Sequence, residues 1–221
     1  MAVSFSDKLK TFVELLFDNK TLSALISQKH SGYLKDIGWF ESFNTKLSID
    51  KNSSPIPWTT YPFIDFISNR LTNKISIFEY GSGNSTMFWS LYVKQVVSVE
   101  HDKGWFETTK IVSGNSKNIH IIYAEPTLEK YVGSIKNTNQ LFDIIMIDAI
   151  HRNECLIAAV DFLTEQGLII LDDSERLEYS EGIQFLKSRG FKELPFWGIA
   201  PTILFKKCTT IFYKDNNCLG I

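Results

Sequence analysis

The sequence of 221 residues lacks any long apolar run. No segment approaches the roughly 18 consecutive apolar residues that a membrane-spanning helix needs. The first residues, from Met1 to Lys8, also lack the charged start and apolar centre of a secretory signal. We therefore expect a cytoplasmic protein without a membrane partner.

Cysteine is scarce as well. The chain has three cysteines, Cys155, Cys208 and Cys218, which form neither a C-x-x-C pair nor the spacing of a zinc site. An odd number also argues against a framework of disulfides. Reduced thiols in the core or at the surface are the expectation.

An excess of one charge is missing too. The 23 Lys and Arg residues nearly balance the 25 Asp and Glu residues, which gives a formal net charge of -2. Without a large basic field, a long nucleic-acid backbone is a poor candidate partner, and a folded RNA is disfavoured. The chain does contain enough apolar and aromatic residues, 44% and 14% of the total, to bury a substantial core.

The most informative stretch is 75–86, where an apolar run ends in an acid and is followed by two closely spaced glycines. This pattern predicts a buried strand, a tight loop and a helix. Gly81 and Gly83 lack a Cβ, so the backbone can turn sharply there and approach a ligand closely. Small polar side chains surround the two glycines, at Ser82, Asn84 and Ser85.

Two classes of ligand use such a loop. A dinucleotide favours the pattern G-x-G-x-x-G/A, but the third glycine position holds Thr86. The acid before the first glycine, Glu79, suits an ammonium group better than a pyrophosphate and would act through a water or through the local field. Together these residues favour S-adenosylmethionine (SAM) over NAD.

The stretch from Glu79 to Ser85 resembles the first motif of class I SAM-dependent methyltransferases, (D/E)-x-G-x-G-x. The resemblance implies SAM as the cofactor and assigns to its binding Glu79, Tyr80, Gly81, Ser82, Gly83, Asn84 and Ser85. It also implies an α/β fold: a Rossmann-like, doubly wound, mostly parallel seven-stranded sheet with an antiparallel C-terminal hairpin. The alternation of strands and helices over residues 62–214 follows the order of that family.

The ends of the next two predicted strands supply further cofactor residues. Glu100 lies 19 residues after Gly81, near the spacing at which an acid accepts hydrogen bonds from ribose hydroxyls, and His101 beside it is assigned to the same site. In the family, residues at the end of the third strand contact adenine. The resemblance therefore implies that Glu125 binds the exocyclic amine and that the backbone N–H of Ala124 binds a ring nitrogen.

The catalytic candidates follow the fourth predicted strand. Asp148 ends that strand opposite the glycine loop, so it is assigned both to the cofactor cleft and to catalysis. His151 follows three residues later and is the candidate general base for a hydroxyl acceptor. The alternative is that His151 is a loop histidine without a catalytic role.

A metal site is considered at the same edge of the sheet, because Asp148 and Asp173 resemble two ligands of the cation-dependent catechol-type O-methyltransferases. Those enzymes close the fifth strand with an Asp-Asn pair, whereas this chain has Asp173 and Ser174, preceded by Asp172. A serine is a poorer ligand than the carbonyl of asparagine. We predict that no metal is used, and that Asp172 and Asp173 cap the following helix or bind loop amides.

The chain divides at residue 61 in this interpretation. Residues 1–61 are predicted to form two short helices and then an aromatic lid or collar, and residues 62–221 to form the SAM-binding domain. Trp58 and Tyr61 either face the ligand cleft or fasten the N-terminal segment to the core. The two alternatives stay open at this point.

Four element boundaries are also predicted. The two N-terminal helices meet near Asp18, a helix covers 153–166 with a strand starting at Gly167, and the closing strands cover 191–195 and 208–214.

The expected function is methyl transfer from SAM to a small hydroxylated metabolite or sugar. The region 32–86 further resembles a group of small stand-alone bacterial methyltransferase-like proteins, some of which lie in surface-polysaccharide pathways. Two alternatives remain, a SAM-binding or inactive methyltransferase fold that docks a partner, and, disfavoured by Thr86, an NAD(P)-dependent oxidoreductase. A small-molecule substrate is expected, no nucleic acid is, and the oligomeric state is open.

Overall fold

A computed structural model describes residues 4–221. Seven strands form one sheet, with the bounds β1 Ser76–Tyr80, β2 Gln95–Glu100, β3 Ile119–Tyr123, β4 Phe142–Ile147, β5 Leu163–Asp172, β6 Lys192–Gly198 and β7 Lys207–Tyr213. Their order across the sheet is β3-β2-β1-β4-β5-β7-β6. Strands β1 to β5 are parallel, and β7 runs antiparallel to both β5 and β6. The predicted fold class is confirmed.

Ten helices accompany the sheet within the described residues. Their bounds are α1 Phe5–Phe17, α2 Asn19–His30, α3 Tyr33–Asp36, α4 Trp39–Thr45, α5 Tyr61–Ser68, α6 Asn84–Ser90, α7 Lys103–Ser113, α8 Leu128–Val132, α9 Arg152–Ala159 and α10 Ser180–Ser188. Short 3-10 helices cover Gly133–Thr138, Val160–Phe162 and Leu177–Tyr179. None of the helices between residues 4 and 221 is long and apolar enough to cross a membrane.

The inner parallel strands β1, β2 and β4 are buried on both faces, as strands of a parallel sheet between helices must be. Successive side chains of a strand point to opposite faces, so neighbours on one strand join different cores. Ile77 packs with α5 residues on one face, and Phe78 packs with α9 residues on the other. This double burial fixes the strands, so the residues that follow them are held at one edge of the sheet.

The prediction for residues 153–166 was wrong at its end. Helix α9 ends at Ala159, and β5 already starts at Leu163, which pairs with Phe142. A break in the pairing register follows, and a Cβ at Gly167 would lie 2.9 Å from the Leu163 side chain. Gly167 therefore marks an irregularity inside the strand and not its beginning.

The closing hairpin is longer than the sequence predicted. Strand β6 extends to Gly198, because residues 196–198 pair with residues 207–209 of β7. The hairpin thereby carries Lys207 to the edge of the sheet where the parallel strands end.

The N-terminal segment falls into two parts. Helices α1 and α2 meet at Asp18, as predicted, and neither contains a buried residue. We call residues 39–60 the collar. Its residues Trp39 and Ile56 pack in the same core as Phe63 of α5, so the collar is continuous with the packing of the sheet.

Candidate functional site

The glycine loop joins β1 to α6. Gly81 adopts a φ of +102°, and a Cβ on it would lie 2.6 Å from the carbonyl oxygen of Asp148. Its N–H donates to the Val99 carbonyl at 2.9 Å. Only glycine satisfies this conformation and this close approach without strain. The loop is therefore pressed against the end of β4, between β2 and β4.

Glu79 lies beneath the loop and not in a cleft. It is 1% exposed, and its carboxylate accepts hydrogen bonds from the Thr86 hydroxyl at 2.6 Å, the Ser98 hydroxyl at 2.9 Å and the Trp89 indole at 3.1 Å. Burial raises the pKa of Glu79, and these hydrogen bonds oppose the rise. Glu79 can therefore influence a ligand only indirectly, by holding α6 in place or through its field.

Thr86 explains why the third glycine position is not a glycine. Its hydroxyl donates to Glu79 and accepts the Gly83 N–H at 3.1 Å, so it links the strand to the start of α6. Tyr80 is also directed into the core, where its hydroxyl donates to the Val132 carbonyl at 2.8 Å and burial raises its pKa. The Tyr80 side chain therefore packs in the core and does not line the cleft, and a role of Tyr80 in cofactor binding could involve only its main chain.

A cavity of about 410 Å³ opens beside the loop. Of the residues assigned from the sequence, it brings together Ser82, Gly83, Asn84, Ser85 and Asp148. The size lies within the ordinary range for small-ligand sites. Five lining residues were not assigned from the sequence, namely Lys46, Leu47, Ser48, Trp58 and Trp105.

Trp105 forms one wall of the cavity. It lies in the first turn of α7, where Asp102 caps the helix by accepting the Trp105 N–H at 2.7 Å. Its indole donates to the Ser82 carbonyl at 2.6 Å, and its ring is 3.5 Å from where a Cβ on Gly83 would lie. An aromatic residue just after the acid that ends β2 was the signal in the sequence that could have identified it.

The collar forms the opposite wall. The Asn84 amide donates to the Ser48 carbonyl at 2.7 Å, and the Trp58 indole donates to the Pro201 carbonyl at 2.7 Å. Trp58 thus both lines the cavity and fastens the collar, whereas Tyr61 is 2% exposed and belongs to the core. The Ser48 hydroxyl is buried and has no hydrogen-bond partner within residues 4–221. A buried hydroxyl without a partner is costly, and a bound ligand could supply one.

Glu100 ends β2 below the cavity, where it is 4% exposed. Its carboxylate accepts the backbone N–H groups of His101 and Asp102 at 2.8 and 2.9 Å. It also accepts the Ser82 N–H and hydroxyl at 3.1 and 3.0 Å. Ribose hydroxyls would have to take the place of the Ser82 groups. The His101 ring lies with Nδ1 3.1 Å from Glu100 and packs edge-on against Tyr131.

The predicted adenine contacts are placed elsewhere. The N–H of Ala124 donates to the Glu100 carbonyl at 3.0 Å, so the prediction that it binds a ring nitrogen was wrong: it continues the pairing of β2 with β3. Glu125 is paired with Lys130 at 2.6 Å. Both Ala124 and Glu125 line a separate hollow of about 290 Å³, and neither lines the cavity at the glycine loop.

A second hollow of about 260 Å³ adjoins the cavity and shares Trp58 and Asp148 with it. We call it the acidic hollow. Its remaining lining residues are Asp172, Asp173, Arg176, Ile203, Phe205 and Lys207. His151 lines neither space; its Nε2 lies 3.1 Å from the Pro126 carbonyl oxygen. The catalytic role of His151 stays a prediction: its backbone is left-handed, with a φ of 54°, and its ring contacts the loop that follows β3 and not Asp148.

Asp172 and Asp173 bind a buried lysine. The Lys207 Nζ lies 2.5 Å from Asp172 Oδ2 and 2.8 Å from Asp173 Oδ1. Successive strand residues normally face opposite ways, but Asp173 has a φ of +53°, which ends the strand and lets both carboxylates reach one ammonium. Thr209 donates to the other oxygen of Asp172 at 2.6 Å. The prediction that these two acids cap a helix or bind loop amides was wrong.

Two arginines complete the ionic cluster. Arg152 donates to Asp148 Oδ1 at 2.8 Å and lies 3.5 Å from Asp173, and Arg176 pairs with Asp173 at 2.7 Å. Arg152 also donates to the Asp172 carbonyl at 2.5 Å. The sequence reasoning missed both arginines and Lys207. A lysine at the start of β7, which has no other charged residue, was the available signal.

Burial and charge act against each other in this cluster. Burial raises the pKa of Asp172 to about 7, with Asp148 adding to the rise and Lys207 opposing it. Burial would also raise the pKa of Asp173, but Lys207 and the two arginines outweigh it and lower the value. Burial would lower the pKa of Lys207, yet Asp172 and Asp173 hold it above its ordinary value. Lys207 is therefore a charged ammonium inside the protein.

No protein-family model matches the sequence, and none of the curated proteins matches it significantly. Solved structures do match. The precorrin-6y C5,15-methyltransferase of Geobacter metallireducens gives a TM-score of 0.56 at 13% identity, over 77% of this chain and 96% of its own. A methyltransferase-like protein of Silicibacter pomeroyi gives 0.56 at 18% identity, over 72% and 89%. The O-methyltransferase TomG of Streptomyces achromogenes, in complex with SAM, gives 0.53 at 13% identity, over 67% and 76%. These likenesses establish the fold that the chains share.

Proposed function

Since the chain has the Rossmann-like fold of class I SAM-dependent methyltransferases, we propose that it transfers a methyl group from SAM to a hydroxyl of a small metabolite or sugar. The observation that carries the proposal is the pair of adjoining spaces at the ends of β1, β4 and β5. One is bounded by the glycine loop and the other by Asp148 and its neighbours, and Trp58 and Asp148 line both. A transferase needs such a junction between donor and acceptor.

The glycine-loop cavity fits the cofactor. Its volume of about 410 Å³ suits a ligand of that size class, and the loop offers main-chain and small polar groups from Ser82 to Ser85. When bound, SAM supplies an electrophilic methyl group on a sulfonium. Glu100 would accept the ribose hydroxyls after releasing Ser82, and Trp105 would cover a face of the ligand.

Asp148 is proposed to take the proton of the acceptor hydroxyl. Within the described residues Arg152 binds only its Oδ1, so Oδ2 is available, and Asp148 lines both spaces. A positioned carboxylate next to the acceptor provides general-base catalysis. Ile203, Phe205 and Trp58 offer apolar and aromatic surface for the body of a small acceptor. The small net charge of -2 gives no support to a nucleic-acid acceptor.

The first experiment separates cofactor classes. Purified protein is heated with SAM, with S-adenosylhomocysteine and with NAD, since a ligand that binds the native state raises the melting temperature. We expect a rise with the first two and none with NAD. A rise with NAD alone would contradict the proposal.

The second experiment identifies the acceptor. The protein is incubated with methyl-labelled SAM and fractions of an extract of its own source, and the labelled product is identified. Asp148→Asn serves as the matched variant, with an expected loss of about 10²–10⁴-fold in turnover measured at saturating SAM.

A second candidate function is a fold that binds SAM, or no ligand, and docks a partner. The observation in its favour is that Glu100 already has its hydrogen bonds filled from within the chain. SAM binding without any labelled product would favour this alternative, and product formation would exclude it.

A further inference from the structure

Three carboxylates converge where β4 and β5 end. One oxygen each from Asp148, Asp172 and Asp173 lies within 4.8 Å of the other two. Hard divalent cations such as Mg²⁺ and Mn²⁺ take oxygen sets of this kind. In this chain, however, a side chain of the protein reaches the same place.

That side chain is Lys207, which is 4% exposed. β7 lies antiparallel to β5 with Asp172 opposite Thr209, so the residue two positions earlier on β7 lies beyond the end of β5. The Ser174 N–H donates to the Cys208 carbonyl at 3.0 Å, so the segment that follows β5 stays bonded to β7 beyond the end of β5. The main chain therefore fixes Lys207 beside both aspartates.

The aspartates of the cluster already have cationic partners within the chain. Its three aspartates face three fixed cations, Lys207, Arg152 and Arg176. A divalent cation would have to displace the ammonium from Asp172 and Asp173 and leave it buried without a partner, which is strongly unfavourable. Occupation by a metal and the observed pairing of Lys207 exclude each other.

We propose that the ammonium of Lys207 holds the place of a divalent cation at the acidic hollow, and that removing it uncovers a metal-binding site. An ammonium has three N–H donors, of which two are directed at Asp172 and Asp173. Because Lys207 also lines the hollow, the remaining N–H can orient an acceptor oxygen. This last role rests on the proposed methyl transfer, whereas the metal-binding prediction does not.

The test is Mn²⁺ binding by calorimetry and by electron paramagnetic resonance, on the full chain in chelator-treated buffer. Lys207→Ala is expected to bind Mn²⁺ at least about tenfold more tightly than the unaltered protein. Lys207→Asn is the second variant, since its amide can hydrogen-bond Asp172 and also offer an oxygen to the metal. Circular dichroism confirms that each variant is folded.

The matched control is Lys192→Ala. Lys192 is also paired with an aspartate, Asp215, but is 56% exposed at the surface, so its removal should create no metal site. Adding Asp172→Asn to Lys207→Ala should abolish the gained binding.

Two results would overturn the proposal. One is a folded Lys207 variant that binds Mn²⁺ no better than the unaltered protein. The other is stoichiometric Mn²⁺ binding by the unaltered protein that is lost in Asp148→Asn; this arm does not depend on whether either Lys207 variant folds.

SAM titrations of the same samples keep the two proposals apart. If the samples do not bind SAM but the Lys207 variants gain Mn²⁺ binding, the methyltransferase proposal is wrong and the assignment of Lys207 stands. If the samples bind SAM but the Lys207 variants gain no Mn²⁺ binding, only the assignment of Lys207 is wrong.

Discussion

The two halves of the sheet edge stabilise buried carboxylates in different ways. At β1 and β2, Glu79 and Glu100 are surrounded by neutral donors, which are hydroxyls, an indole and backbone N–H groups. At β4 and β5, the aspartates are paired with Lys207 and two arginines. Neutral donors spread a negative charge without cancelling it, whereas fixed cations cancel it. The first half therefore contains no Lys or Arg among these donors, whereas the second is built on three such cations.

The largest effect on stability is expected from Lys207→Ala, which removes the lysine that pairs with Asp172 and Asp173. Removing one partner of a buried ionic group should lower the free energy of unfolding by about 3–5 kcal/mol near neutral pH. Urea unfolding, with Lys192→Ala as the control, measures the loss.

The loss of stability in Lys207→Ala should depend on pH. Burial raises the pKa of Asp172 to about 7 even with Lys207 present, against an ordinary value near 4 in the unfolded chain. A carboxyl with a raised folded pKa contributes stability below its unfolded pKa and loses it as the pH rises through the folded value. Without Lys207 that rise is larger, so the loss of stability should be smaller at pH 5 than at pH 8. Equal losses at both pH values would contradict this account.

At the other half, Glu79 is expected to tolerate loss of charge better than loss of its oxygens. Glu79→Ala leaves the Thr86, Ser98 and Trp89 donors without their acceptor and should cost about 3 kcal/mol. Glu79→Gln keeps one oxygen, and its amide can donate to hydroxyls that rotate, so about 1 kcal/mol is expected. Urea unfolding compares the two; a Gln variant as unstable as the Ala variant would show that the charge itself is required.

Variants of Glu100 test whether this carboxylate at the end of β2 takes part in SAM binding. Glu100→Ala should weaken SAM binding by about 1.5–3 kcal/mol, the range for lost hydrogen bonds to a charged group. Glu100→Gln, which keeps an acceptor, should weaken it less. Calorimetry on folded variants decides, and an unchanged affinity in Glu100→Ala would remove Glu100 from the cofactor site.

The smallest effect is expected from removing or adding a divalent cation. Once an acceptor is known, EDTA should leave turnover unchanged and Mg²⁺ should add nothing, because Lys207 already occupies the place between Asp172 and Asp173. Loss of turnover with EDTA and its recovery with Mg²⁺ would show that a metal is used.

The sequence was most informative where a position depends on the local chain alone. The strand, glycine loop and helix around Gly81 follow from apolar periodicity and from residues without a Cβ, and the family resemblance of this stretch implied the sheet that is observed. Side-chain directions were less accessible. That Glu79 and Tyr80 point inwards, and that His151 turns away from Asp148, depends on packing and on one left-handed residue.

The ionic cluster could not be read from neighbouring positions at all. Lys207 follows Asp172 by 35 residues and meets it only because β7 is inserted between β5 and β6. Trp105 and Ser48 likewise reach the cavity from elements whose docking angle no local pattern specifies.

The contact between Gly81 and Asp148 connects the glycine-loop cavity to the acidic hollow. The Asp148 N–H donates to the Tyr80 carbonyl at 3.1 Å, and the Asp148 carbonyl leaves no room for a Cβ on Gly81. If the glycine loop moves when the cofactor binds, it must also displace the main chain of Asp148, the proposed base. Donor and acceptor should therefore bind cooperatively, and thermodynamic reciprocity requires each to change the affinity of the other by the same factor.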